Sequence, residues 1–173
     1  MVIETLNWLV ETSHIEVIVV EVKYPMDSPS DLVDSFSKAI ESYGYGDVKL
    51  CIFSHISSLP TMIEPVAELS SIAHAHGSLV LVDGAHAPGV IPIDVKTIAC
   101  DFYTGNCHKW LYTPKGSAFM WVHRSQQSET FPEPTVISSS GVHDFIGRYV
   151  LSRVFGASMR PIFGEAISLT LCL

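Results

Sequence analysis

The chain has 173 residues, enough for one domain with a buried core, and 47% of them are hydrophobic. A net charge of −8 and a pI near 5.3, with the few Lys and Arg scattered, speak against a nucleic-acid partner. No run reaches the roughly 18 apolar residues of a membrane span, because Glu21, Asp83, His108 and Lys109 interrupt the longest stretches.

Mean hydropathy of +0.31 is high for a complete small soluble protein, so the chain is expected to be part of something larger or to bury surface in a partner. Acidic residues occupy the opening segment where a secretory leader needs basic ones, and a cytoplasmic location is expected. Cys51, Cys100, Cys107 and Cys172 form no C-x-x-C pair, and disulfides are not expected.

Ile3, Leu6, Leu9 and Val10 recur at helical spacing, which predicts a helix over the first dozen residues. Ile15–Val22 is β-branched and predicts a strand. Ser28, Pro29 and Asp31 form a helix start, followed by an apolar face of Leu32, Val33, Phe36, Ala39, Ile40 and Tyr43, with Gly44 as the stop. A second strand is read at Val48–Phe53, with Cys51 as a buried thiol. A helix follows at Pro65–His76, capped by Gly77.

Ser78–Val82 is uniformly apolar and predicts a strand buried on both faces. Phe102–Thr104 and Gly116–Val122 predict two more. The alternation of strands and helices implies an α/β fold with a mostly parallel sheet, whose ligands lie beyond the carboxyl ends of the strands. The His55–Ser58 turn and Asp83 both fall there. Val150–Leu173 has no clear period and stays unassigned; residues 1–149 are read as one partial domain.

Lys109 follows His108 in the turn T-G-N-C-H-K-W, 26 residues after Asp83. Its neighbours Cys107, Trp110, Leu111 and Tyr112 describe a buried segment. A water-poor setting favours the neutral amine, the form that attacks an aldehyde, so Lys109 is a candidate Schiff-base lysine and general base. Asp83, at a strand end, suits a pyridinium nitrogen, the second requirement of a pyridoxal 5′-phosphate (PLP) site, or else caps its own turn. His86 is placed to stack on a planar ring or to hydrogen-bond within that turn. Ser57 and Ser58 offer hydroxyls, and Asn106 and His108 offer contacts to a phosphate or ring. His74 and His76 read as helix-end histidines. A zinc site from Asp83, His86, Cys107 and His108 matches no established ligand spacing.

The runs D-G-A-H-A-P-G, D-F-Y-T-G-N-C-H-K-W, G-S-A-F-M-W-V and P-T-V-I-S-S-S-G-V-H-D-F-I-G-R-Y resemble the class V aminotransferase family of PLP enzymes. Within it the chain looks most like the isopenicillin N epimerase-like and cysteine desulfhydrase-like branch, from about residue 1 to Tyr149. The resemblance implies the central part of a fold type I large domain, truncated at both ends, with helices on both faces of a mostly parallel seven-stranded sheet and active sites at a homodimer interface. It implies Lys109 as the Schiff-base lysine, Asp83 on the pyridinium nitrogen and His86 on the ring. Ser58 stands where many relatives have Asn near the ring hydroxyl, and Asn106 and His108 lie in a stretch that helps hold the phosphate.

The activity implied is PLP-dependent chemistry on an amino acid: β-elimination such as cysteine desulfhydration, epimerisation or transamination. Relatives carry a glycine-rich phosphate-binding turn upstream of this region and a threonine- and arginine-containing loop downstream. The alternative expectation is therefore an inactive fragment that at most dimerises with a full-length partner.

Overall fold

A computed structural model describes residues 2–13, 15–127 and 168–172. Helix α1 (Val2–Ser13) leads into β1 (Glu16–Val20), α2 (Ser30–Ile40), β2 (Val48–Ser54), α3 (Val66–Ala75) and β3 (Leu79–Asp83). Then come α4 (Val95–Ile98), β4 (Phe102–Asn106), α5 (Cys107–Trp110), β5 (Ala118–Val122) and β6 (Ser168–Cys172). The predicted elements are all present, with ends shifted by a few residues. Helix α2 stops at Ile40 rather than running to Gly44, and residues after Glu41 turn toward β2.

The six strands form one sheet in the order β1-β6-β2-β3-β4-β5. Every neighbouring pair is parallel except β4 and β5, which are antiparallel. Strand β6, in the segment whose sequence shows no period, lies between β1 and β2 and pairs with both. β1 and β2 are therefore not neighbours. Five residues of S-L-T-L-C are too few to separate a strand from a loop by pattern alone.

Alternation along the strands builds two cores. Cys51, Phe53, Val80, Val82 and Tyr103 face α2 and α3, where Phe36, Leu69 and Ala73 meet them. Phe36 and Phe53 pack edge to face, with centroids 5.0 Å apart. Leu50 and Ile52 face the other way, toward Leu6 and Leu9 of α1. Helices thus lie on both faces of the sheet. Burial of β3 is uneven, however: Val80 and Val82 are fully buried, while Leu79 and Leu81 are half-buried. The predicted burial on both faces holds for one face only, because α1 gives thinner cover than α2 and α3 together.

Asp101 fastens the amino-terminal edge of the sheet. Its Oδ2 accepts from the Val80 backbone N–H at 2.9 Å and from His74 Nε2 at 2.8 Å. Its own N–H donates to Val80 O at 3.0 Å. His74 and His76 do sit at the end of α3, and His76 Nδ1 meets Ile72 O. Gly77, with φ +78°, closes that helix as expected. Asp101→Ala leaves the buried Val80 N–H unpaired and is expected to lower unfolding free energy by about 2–3 kcal/mol in a denaturant titration. Asp101→Asn, which keeps an acceptor for that N–H, is expected to lose less.

Candidate functional site

The carboxyl ends of β2, β3 and β4 converge on the residues singled out from sequence. Strand β3 ends at Asp83, whose Oδ1 accepts from the Ala85 N–H at 2.9 Å and opens the turn that carries His86. Gly84 N–H donates to Thr104 O at 2.8 Å, joining that turn to β4. Strand β4 passes directly from Asn106 into the single turn of α5, which carries Lys109. Gly89, at φ +86°, lets the end of the His86 turn lie against Trp110 and Leu111: a Cβ there would sit 3.0 Å from Trp110 O.

The close approach of those two segments brings Lys109 Nζ to 2.9 Å from His86 Nε2. Burial, and then the Lys109 charge, lower the His86 pKa, while Asp83 opposes them. The lowered pKa favours the neutral imidazole, whose unprotonated Nε2 can accept a hydrogen bond from Lys109 Nζ. Its ring centroid lies 6.4 Å from that of Trp110, at a 53° tilt. Asp83, His86 and Lys109 thus form one constellation of acid, imidazole and amine.

The remaining sequence candidates lie around it. Ser58 is exposed in the loop after β2, and its carbonyl accepts from Thr61 Oγ1. His108 is half-buried with Nδ1 against Ser117 O at 3.0 Å, and Asn106 is half-buried at the start of α5 without a side-chain cap bond. Among the described residues, no group of three His, Cys, Asp or Glu is arranged to hold a metal ion, so Asp83, His86, Cys107 and His108 are not gathered as zinc ligands.

The expected burial of the lysine segment needs correction. Cys107, His108 and Lys109 are half-buried, whereas Trp110, Leu111 and Tyr112 are exposed, Tyr112 at 85%. The segment lies on the open carboxyl edge of the sheet, where no helix of the described residues covers it.

Behind the constellation lies a buried polar group that the residue patterns did not reveal. His55 Nδ1 and the Tyr103 hydroxyl are 2.8 Å apart, with rings packed edge to face. Burial lowers the His55 pKa and raises that of Tyr103. Glu64 joins them through the loop that folds back on His55, donating its N–H to His55 O at 3.0 Å. In the sequence Glu64 looks like an ordinary acid ahead of a helix. Its burial comes from the loop that bridges Ile56 with Ile63, which no local sequence pattern signals.

The model of the family described as "Aminotransferase class-V" matches residues 20–146. A putative L-cysteine desulfhydrase 2 of Oryza sativa is 36% identical over 130 residues, covering 72% of this chain and 27% of that protein. The isopenicillin N epimerase of Streptomyces clavuligerus is 41% identical over 110 residues, covering 64% of this chain and 27% of that protein. The chain therefore spans about a quarter of the length of these relatives. The apo structure of a cysteine desulfurase from Thermococcus onnurineus NA1 matches with a TM-score of 0.53 at 22% identity, over 73% of this chain and 38% of that one, a likeness of fold. With the match of the family model over most of its length, this chain belongs to the class V aminotransferase family.

Proposed function

We propose that Asp83, His86 and Lys109 are the cofactor and catalytic residues of a PLP site that acts on an amino acid. The observation that carries this reading is the 2.9 Å contact between Lys109 Nζ and His86 Nε2 in the turn that begins at Asp83. The residues present fit the cofactor: a carboxylate for a cationic ring nitrogen, an imidazole for the ring face, and a primary amine on one open edge. PLP, when bound, supplies an aldehyde for an amine and a ring that withdraws electrons.

The chain's own residues supply position and proton transfer. Asp83, whose Oδ1 accepts from the Ala85 N–H, would hold the ring nitrogen with its remaining carboxylate capacity. His86 accepts from Lys109 Nζ and so fixes where that amine rests. Once released to act as a base, Lys109 takes the α proton of the substrate at Nζ. Asn106, His108 and Ser58 are the candidate contacts for the phosphate and ring oxygen. β-Elimination, epimerisation and transamination share the α-proton step, and the relatives are named for the first two kinds of chemistry, which supports an amino acid as substrate. The exposed Trp110, Leu111, Tyr112, Phe119 and Met120 favour a second copy covering this edge. A cytoplasmic location completes the reading.

Treating the chain with PLP, reducing with borohydride and mapping peptides by mass tests the site. One reduced adduct at Lys109 is expected, and Lys109→Ala is expected to cut labelling at least tenfold. A folded chain that takes no label at Lys109 overturns the reading. It would favour an inactive chain that at most pairs with a longer partner.

A further inference from the structure

His108 commits one ring nitrogen to the fold and leaves the other unpartnered. Its Nδ1 lies 3.0 Å from the Ser117 carbonyl oxygen, which also accepts the backbone N–H groups of Cys107 at 3.0 Å and of His108 at 3.3 Å. That oxygen is thereby fixed against the start of α5. A carbonyl oxygen only accepts, so Nδ1 carries the hydrogen of this contact whether the ring is neutral or charged. In the neutral ring Nε2 is then a lone pair, and among the described residues it has no hydrogen-bond partner. The half-buried Asn106 side chain beside it makes no cap bond either.

This tautomer is mismatched to a phosphate. Above about pH 6 a phosphate monoester is a dianion whose oxygens only accept. A lone pair facing such an oxygen makes no hydrogen bond, so the contact needs one more proton than the free partners hold. The neighbouring ionisable groups do not supply it. On α5, Cys107 and Lys109 flank the ring, and Lys109 Nζ is engaged with His86 at 2.9 Å in the turn that begins at Asp83. Strand β5, packed against α5, has no ionisable side chain over Ala118–Val122. Strand β4 contributes Tyr103, which is buried and bonded to His55. The loop between α5 and β5 carries Tyr112 and Lys115, both exposed. None of these groups is hydrogen-bonded to Nε2, which leaves solvent as the source.

We propose that His108 is a proton-requiring anchor for the phosphate: Nε2 pairs with a phosphate dianion only with uptake of one proton from solvent, which lies between Nε2 and the phosphate oxygen. The inference rests on the PLP-site reading and makes phosphate capture at that site dependent on pH. Because the complex holds one proton more than neutral His108 and the dianion together, affinity falls as pH rises. Below about pH 6 the monoanion brings the proton itself, and the coupling fades.

The test uses 4′-deoxypyridoxine 5′-phosphate, which has the ring nitrogen and phosphate but no aldehyde for Lys109. In the unmutated chain without probe, a ¹⁵N spectrum near pH 8 should show neutral His108 with its proton on Nδ1, assigned by its loss in His108→Gln. Kd is then measured for both chains. Glutamine donates an N–H without taking up a proton, so the ratio of the parent Kd to the variant Kd is expected to rise about tenfold from pH 7 to pH 9. Calorimetry in buffers of different ionisation enthalpy should show the parent taking up more protons than the variant. It should also take up more with the phosphate ester than with 4′-deoxypyridoxine itself. The opposite tautomer, a flat ratio, or equal proton uptake overturns the inference. PLP labelling of Lys109 is run in parallel. Labelling with a flat ratio removes the role of His108 and leaves the site reading standing, whereas neither labelling nor probe binding removes both.

Discussion

Gly84→Ala is expected to lower the unfolding free energy by about 3 kcal/mol or more, and to weaken PLP labelling of Lys109 along with it. A Cβ at Gly84 would overlap the Tyr103 hydroxyl and the two ring carbons nearest it, far inside any real contact distance. Tyr103 has nowhere to go: it is fully buried, its hydroxyl is bonded to His55, and its ring stacks 6.3 Å from Phe119 at an interplanar angle of 9°. Overpacking of this kind displaces either the ring or the backbone. Moving the ring leaves His55 Nδ1 without its partner inside the fold. Moving the backbone shifts Asp83 and Ala85, whose hydrogen bond orients the acid of the proposed site. Denaturant unfolding of Gly84→Ala, Tyr103→Ala and the double variant forms the check. The costs are expected to be strongly non-additive, because removing the ring removes the clash. Additive costs would show that the methyl does its damage elsewhere.

The constellation was legible in the sequence because its members lie at strand ends that the hydrophobic pattern marks. Leu79–Val82 is an apolar run that stops at Asp83, and the Lys109 turn is bounded by two further strands. Once a parallel sheet is inferred, both fall on its carboxyl edge, and the His86–Lys109 contact follows from two short turns side by side. Glu64 was not legible. Its burial depends on a loop folding back to bridge Ile56 with Ile63, and nothing local to an E-P-V helix start foretells that. Strand β6 was hidden for a related reason: its partners β1 and β2 are distant in sequence, and a five-residue pattern does not reveal which gap in a sheet it fills. The exposure of Trp110, Leu111 and Tyr112 shows the limit of composition. Apolar residues predict burial, but not whether the cover comes from the same chain.

Glu64→Gln is expected to reverse part of the pH dependence of stability. In the unfolded chain the Glu64 carboxyl titrates at its usual 4.5, whereas in the fold it is raised to about 8, chiefly by burial. The folded state therefore binds more protons at this site. Its contribution to stability is fully present below the unfolded value and is lost as pH rises through the folded one. Across that window the parent is expected to lose on the order of 4–5 kcal/mol relative to Glu64→Gln, at about 1.4 kcal/mol per pH unit. The amide brings an offset of its own, since its N–H groups enter a site where Oε2 had no partner. That offset does not change with pH, so the slope rather than the intercept carries the test. Unfolding free energies of the two chains, compared near pH 5, 7 and 9, should diverge steadily in favour of the variant and level off above the folded pKa. Parallel curves would mean that Glu64 is ionised in the fold already.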